Sequence, residues 1–161
     1  FDLVFSTFCL HWVKEQQLAI KNIYQSVKPG GKALLYIPCN SKLFENWKLI
    51  LQKLVTKYPN WNSSELNPTY LLSEDQWICL AKEEGFKIEN SFILERSINF
   101  TKKELLGHVK ALNTAPDLDD KERAVFIEEA TQGLYDIYNK NISDKFEYKT
   151  NTVVLKLSKQ T

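Results

Sequence analysis

The run Val27-Lys28-Pro29-Gly30-Gly31-Lys32 constrains this chain more than any other. Proline cannot continue a helix, and two successive glycines permit backbone that other residues resist, so a helix arriving here must stop. What arrives is helical. Leu10, Val13, Ala19, Ile20, Ile23, Tyr24 and Val27 recur mostly at three- and four-residue spacing and predict a helix over about residues 14–27. What leaves is a strand, Lys32-Ala33-Leu34-Leu35-Tyr36-Ile37, closed by Pro38. Upstream, Phe1-Asp2-Leu3-Val4-Phe5 is a second short run dense in strand formers, which reads as a buried strand ending at Ser6-Thr7. Strand, helix, tight turn and strand make a βαβ unit: two parallel strands, a right-handed crossover, and a helix against one sheet face.

The rest of the chain continues the alternation. Leu43, Phe44, Trp47, Ile50, Leu51, Leu54 and Val55 mark an amphipathic helix within 40–58, and 59–68 is polar and punctuated, a loop. Ser73-Glu74-Asp75-Gln76 has the capping-box pattern and opens a helix that ends near Gly85. Residues 86–100 contain strand-like stretches, best over 88–93. Thr101-Lys102-Lys103-Glu104 is a second capping box, and Asp119 or Asp120 caps a longer helix to about Tyr138, with Gly133 weakening that expectation. Residues 147–157 alternate and turn apolar, as a last strand that pairs antiparallel. The expected class is α/β, with a mainly parallel sheet and an antiparallel last strand. Two helices stand between the last strands, where insertions often build a substrate lid.

Composition excludes several functions. Twenty-one basic and twenty acidic residues leave a net charge of +1, so no field draws nucleic acid or an anionic membrane. No apolar run approaches the roughly 18 residues of a membrane helix. Cys9, Cys39 and Cys79 are odd in number and widely spaced, which fits reduced thiols in a cytoplasmic protein and no metal site. The sequence contains no methionine, so Phe1 is not a translation start, and a strand beginning there is expected to have had polypeptide before it.

Four stretches carry a resemblance: Phe1-Asp2-Leu3-Val4-Phe5-Ser6, Leu10-His11-Trp12-Val13, Val27-Lys28-Pro29-Gly30-Gly31-Lys32 and Ala33-Leu34-Leu35. Together they resemble class I S-adenosylmethionine-dependent methyltransferases. The Leu-His-Trp-Val variant is similar to the branch that includes juvenile hormone acid methyltransferase and trans-aconitate methyltransferase. The resemblance is specific over 1–37, suggestive over 73–157 and weak over 40–72. It implies that the whole of 1–161 is a partial methyltransferase domain, the C-terminal half of a Rossmann-like sheet. Residues 1–37 would be its strand-helix-strand core and 101–139 a helical cap over the substrate. The glycine-rich loop, ribose-binding acidic residue and adenine site of the family have no counterpart here. Gly30-Gly31 is a structural pair at a helix end.

The resemblance implies S-adenosylmethionine as cofactor and a small carboxylic acid as acceptor. A carboxylate is already a nucleophile and the sulfonium donor already activated, so no catalytic residue is required, only groups that orient an anion and exclude water. Trp12, whose indole N–H is a donor with an apolar wall behind it, is the first acceptor-binding candidate, with core packing as its other role. His11 donates to the same carboxylate or sits behind Trp12. Cys39 and Asn40, after the second strand, are weaker acceptor contacts. Ser6, Thr7 and Phe8, at the first strand's end, are the cofactor-binding candidates, because strand ends set the cleft in parallel sheets. Cys9 reads as inert, His108 and Asn113 as surface or capping groups, and Trp47, Trp61 and Trp77 as core.

A different class of function stands beside the enzyme. In that reading, the absence of the glycine loop would make the chain a non-catalytic binding or assembly module. Phe1 to Phe5 would then offer an apolar open edge for self-association.

Overall fold

The computed structural model of the chain describes residues 1–39, 42–57, 69–111, 118–138 and 145–161. The elements in order are β1 (Leu3–Thr7), a single 3-10 turn (Leu10–Trp12), α1 (Gln16–Ser26), β2 (Lys32–Pro38), α2 (Lys42–Val55), α3 (Glu74–Glu83), β3 (Phe86–Thr101), α4 (Lys102–Ala111), α5 (Asp120–Tyr138) and β4 (Lys145–Lys159). One four-stranded sheet runs in the order β1-β2-β4-β3. β1 lies parallel to β2, with Leu3 opposite Lys32 and Thr7 opposite Tyr36. β4 lies antiparallel to β2, with Lys32 opposite Ser158 and Pro38 opposite Thr152. The parallel pair and the antiparallel last strand are those that the sequence predicts. The expected loop at 59–68 lies outside the described residues.

The chain divides into two compact units, one drawn from Phe1–Asn40, Pro68–Arg96 and Asn151–Thr161, the other from Ser41–Asn67 and Ser97–Thr150. In the first, alternate residues of β2 (Ala33, Leu35, Ile37) and β4 (Val153, Leu155, Leu157) form one apolar face, covered by Ile20 of α1 and by Trp77 and Ala81 of α3. The Lys-Pro-Gly-Gly turn works as its residues dictate. Gly30 takes φ 77°, and a Cβ on Gly31 would lie 2.9 Å from the Lys28 carbonyl and from Val27. Gly30 N donates to the Lys159 carbonyl and Lys32 N to that of Asp2, tying the turn to β4 and β1.

β1 departs from expectation. It begins two residues later and is an edge strand, not a buried one: Leu3 is 59% and Phe5 58% exposed. Val4, on the other face, packs on the core. A run of apolar residues signals a strand but not how many neighbours cover it.

The second unit packs α2, α4 and α5 around Trp47, Ile50, Leu51, Leu105, Val109, Phe126, Ala130 and Leu134. The two inserted helices therefore share a core with α2 rather than forming a unit of their own. Gly133 does not break α5. A Cβ there would stand 3.2 Å from Ile50, so the glycine leaves room for that α2 side chain against α5. Among the described residues, no helix is long and apolar enough to cross a membrane.

Candidate functional site

The candidate site gathers beyond the carboxyl end of β1, where side chains leave the sheet. Ser6 and Thr7 are the last two residues of the strand, paired with Leu35 and Tyr36. Successive strand side chains point to opposite faces, so the two hydroxyls do not face one ligand together. Ser6 lies on the half-buried face with Val4, and Thr7 on the exposed face with Leu3 and Phe5. Phe8 continues the pairing, its N–H donating to the Tyr36 carbonyl at 2.9 Å. It then takes φ 49°, the one positive φ among described non-glycine residues. This left-handed residue turns the chain out of the sheet and leaves the Phe8 ring 51% exposed.

The turn that follows places His11 and Trp12. Trp12 N donates to the Cys9 carbonyl at 3.0 Å and Val13 N to that of Leu10 at 3.1 Å, closing one 3-10 turn. Leu10 and His11 face inward and Trp12 outward, 43% exposed. The two rings lie 4.8 Å apart at 42°. Trp12 is thus a wall group and not a core residue, whereas Trp47 and Trp77 are core. Trp61 lies outside the described residues. His11 is buried and its Nδ1 finds no hydrogen-bond partner. Burial holds its pKa below the ordinary imidazole value, so the ring is neutral at pH 7 and offers a hydrogen bond rather than a charge.

The remaining candidates separate. Cys39 is sealed in the core with Ile37 and Val153 and cannot touch a ligand. Burial pushes its thiol pKa up, as expected of a packing group. Asn40 and Asn113 lie outside the described residues. Cys9 is exposed beside the turn, and all three cysteines are free. His108 is on α4, its ring 5.4 Å from that of Phe100, and burial lowers its pKa. Among the described residues, no group of His, Cys, Asp or Glu could hold a metal.

Sequence reasoning missed Gln16 and Tyr70. Gln16 is buried, and its Nε2 donates to the Leu10 carbonyl at 3.3 Å and to the Tyr70 carbonyl at 2.6 Å. Tyr70 N returns a bond of 2.7 Å to the His11 carbonyl. A glutamine in the first turn of a helix carries no sequence signal of this kind, because its partner lies 54 residues away.

A parallel βαβ unit with an antiparallel strand beside it is a Rossmann-like arrangement, which class I S-adenosylmethionine-dependent methyltransferases share, and the polar and aromatic groups lie beyond a strand's carboxyl end, where such sheets bind ligands. Residues 1–35 match the family described as methyltransferase domain. Over 51 residues the chain is 41% identical to juvenile hormone acid O-methyltransferase of Drosophila melanogaster, which covers 31% of this chain and 17% of that protein. The match therefore spans under a fifth of the curated relative. Among solved structures, a provisionally assigned methyltransferase from Bacillus halodurans superposes on all of this chain and 70% of its own, with a TM-score of 0.59 and 15% identity. The YcgJ protein of Bacillus subtilis gives a TM-score of 0.54 at 11% identity, over all of this chain and 64% of its own. The 4+2 cyclase SpnF gives 0.53 at 13%, over all of this chain and 50% of its own. At these identities the structural likeness establishes the fold.

Proposed function

We propose that the protein belongs to an S-adenosylmethionine-dependent methyltransferase that transfers the methyl group to the carboxylate oxygen of a small acid. The observation that carries this reading is the turn beyond β1, which presents the Trp12 indole outward over a buried, neutral His11 with an unsatisfied ring nitrogen. The Trp12 N–H can donate a hydrogen bond to an anion and cannot act as a base there, with the neutral His11 ring packed behind it.

The residues present fit the cofactor in part. Thr7 and the Phe8 ring are exposed at the strand end, where the methionine portion and sulfonium would lie, and Ser6 stands behind them. Bound there, the cofactor supplies an electrophilic methyl on a positively charged sulfur. This chain's own residues orient the acceptor: Trp12 donates to one carboxylate oxygen, and the rings of Trp12 and Phe8 keep water from it. The three free thiols suit a cytoplasmic protein.

The test is binding of S-adenosylhomocysteine by calorimetry, on this chain and on a longer chain extended upstream, then methylation of a panel of carboxylic acids by whichever binds, as wild type and Trp12→Phe. A hydrogen bond to a charged group contributes about 1.5–3 kcal/mol. The variant should therefore lose roughly ten- to a hundredfold in kcat/KM for the acid while holding the cofactor as well as wild type. Cofactor binding without turnover of any acid would remove the carboxylate reading and leave the methyltransferase class standing.

A further inference from the structure

We infer that Gln16 is a positioning residue for the acceptor: it latches the segment Thr69–Leu72 onto the His11–Trp12 turn and so fixes the indole that meets the carboxylate. The inference rests on the carboxylate reading above and adds to it a residue and a segment.

Trp12 has no burial to hold it, since almost half of its surface is open. Its position is set by the backbone of the 3-10 turn. That turn closes on only two backbone bonds of its own, and no side chain caps its start. Left alone, such a turn is a weak platform. Two further bonds reach it from outside, and a third ties their donors together. Gln16 uses its side-chain amide on the Leu10 and Tyr70 carbonyls, and Tyr70 N donates to the His11 carbonyl. The glutamine is anchored at the start of α1, and the strap is anchored beyond Tyr70 by Leu72, partly buried against the core, and by the capped start of α3 at Ser73. Two rigid helices therefore pin the turn between them through one amide. The same bonds bring the backbone of Tyr70, a residue 38% exposed, to the turn that carries Trp12.

A structural role for Gln16 predicts an effect independent of Trp12, whereas a positioning role predicts that the two are coupled. The experiment is a double-mutant cycle on kcat/KM for decanoic acid, in the chain that the calorimetry above shows to bind the cofactor, with S-adenosylmethionine saturating, across wild type, Gln16→Leu, Trp12→Phe and the double variant. The expected result is that Trp12→Phe costs far less in the Gln16→Leu background, a coupling of about fivefold or more, with cofactor affinity unchanged. Additive effects overturn the inference and leave the carboxylate reading intact. A wild type that methylates no acid overturns both. A second measurement needs no variant. Amide hydrogen exchange on the wild type, with decanoate added, should slow at Tyr70 and not along β4, and unchanged exchange at Tyr70 overturns the latch.

Discussion

A phenylalanine at φ 49° is strained, because the left-handed region crowds Cβ against the following carbonyl, at a cost of about 1–2 kcal/mol. Burial of the ring does not offset this, since half of it is open. The strain sits where β1 hands the chain to the Trp12 turn, and such residues cluster at ligand sites. Removing the side chain should therefore matter little to folding. Relief of strain opposes the entropy that glycine adds to the unfolded chain and the loss of a half-buried ring, so Phe8→Gly should lie within about 1 kcal/mol of wild type. Phe126→Ala, by contrast, empties a fully buried site and should cost about 3–5 kcal/mol. Urea unfolding of both variants makes the comparison. A loss at Phe8 as large as that at Phe126 would make the ring a core residue and remove its exposed role. Phe8 was readable as a site candidate from its place after a strand, but its backbone was not, because nothing in a phenylalanine signals a positive φ.

At the scale of elements, local signals were legible and distant ones were not. Both capping boxes form. Ser73 Oγ accepts from Gln76 N while the Gln76 side chain accepts from Ser73 N. Thr101 and Glu104 exchange the same pair of bonds, and Asp119 accepts from Lys121 N and Glu122 N at the start of α5. Each motif lies within four residues and needs no fold to be recognised. The end of α1 differs. Its last turn has no basic residue, and Lys159 Nζ supplies one from β4, donating to the Tyr24 and Val27 carbonyls. No periodicity foretells that bond. The 3-10 turn was hidden for another reason: Leu10 and Val13 stand three apart, which suits the start of α1 as well as a separate turn. The cap at Ser73 has a measurable consequence, since α3 carries Trp77 and Ala81 into the core and anchors the strap at Tyr70. Ser73→Ala should cost about 1 kcal/mol in chemical denaturation and Ser73→Asp almost nothing. Equal losses would mean that the box does not hold the helix start.

For the whole molecule, the α/β class, the parallel pair and the antiparallel last strand followed from alternation and from one proline-glycine turn. So did the open edge, since Phe1 to Phe5 was expected to offer one and β1 ends the sheet, while the burial expected for the same run was not met. Fold alone also leaves the reaction open: a 4+2 cyclase shares it, so the acid-methylation reading depends on the Trp12 turn and not on the sheet. The exposed edge makes its own prediction. β1 ends the sheet, and Phe1, Leu3 and Phe5 stand open along it. No proline or inward charge blunts Leu3–Thr7, and a net charge of +1 opposes association weakly. A second copy of the chain is the partner always present, and two edges of like sequence can pair antiparallel about a twofold axis. Sedimentation velocity over rising concentration should therefore detect self-association of wild type. Leu3→Lys, which puts a charge on the open face without touching Val4 or the core, should abolish it. A wild type that stays at 18.8 kDa throughout would show that the edge does not recruit a second copy. A lysine variant that still associates would move the contact away from β1.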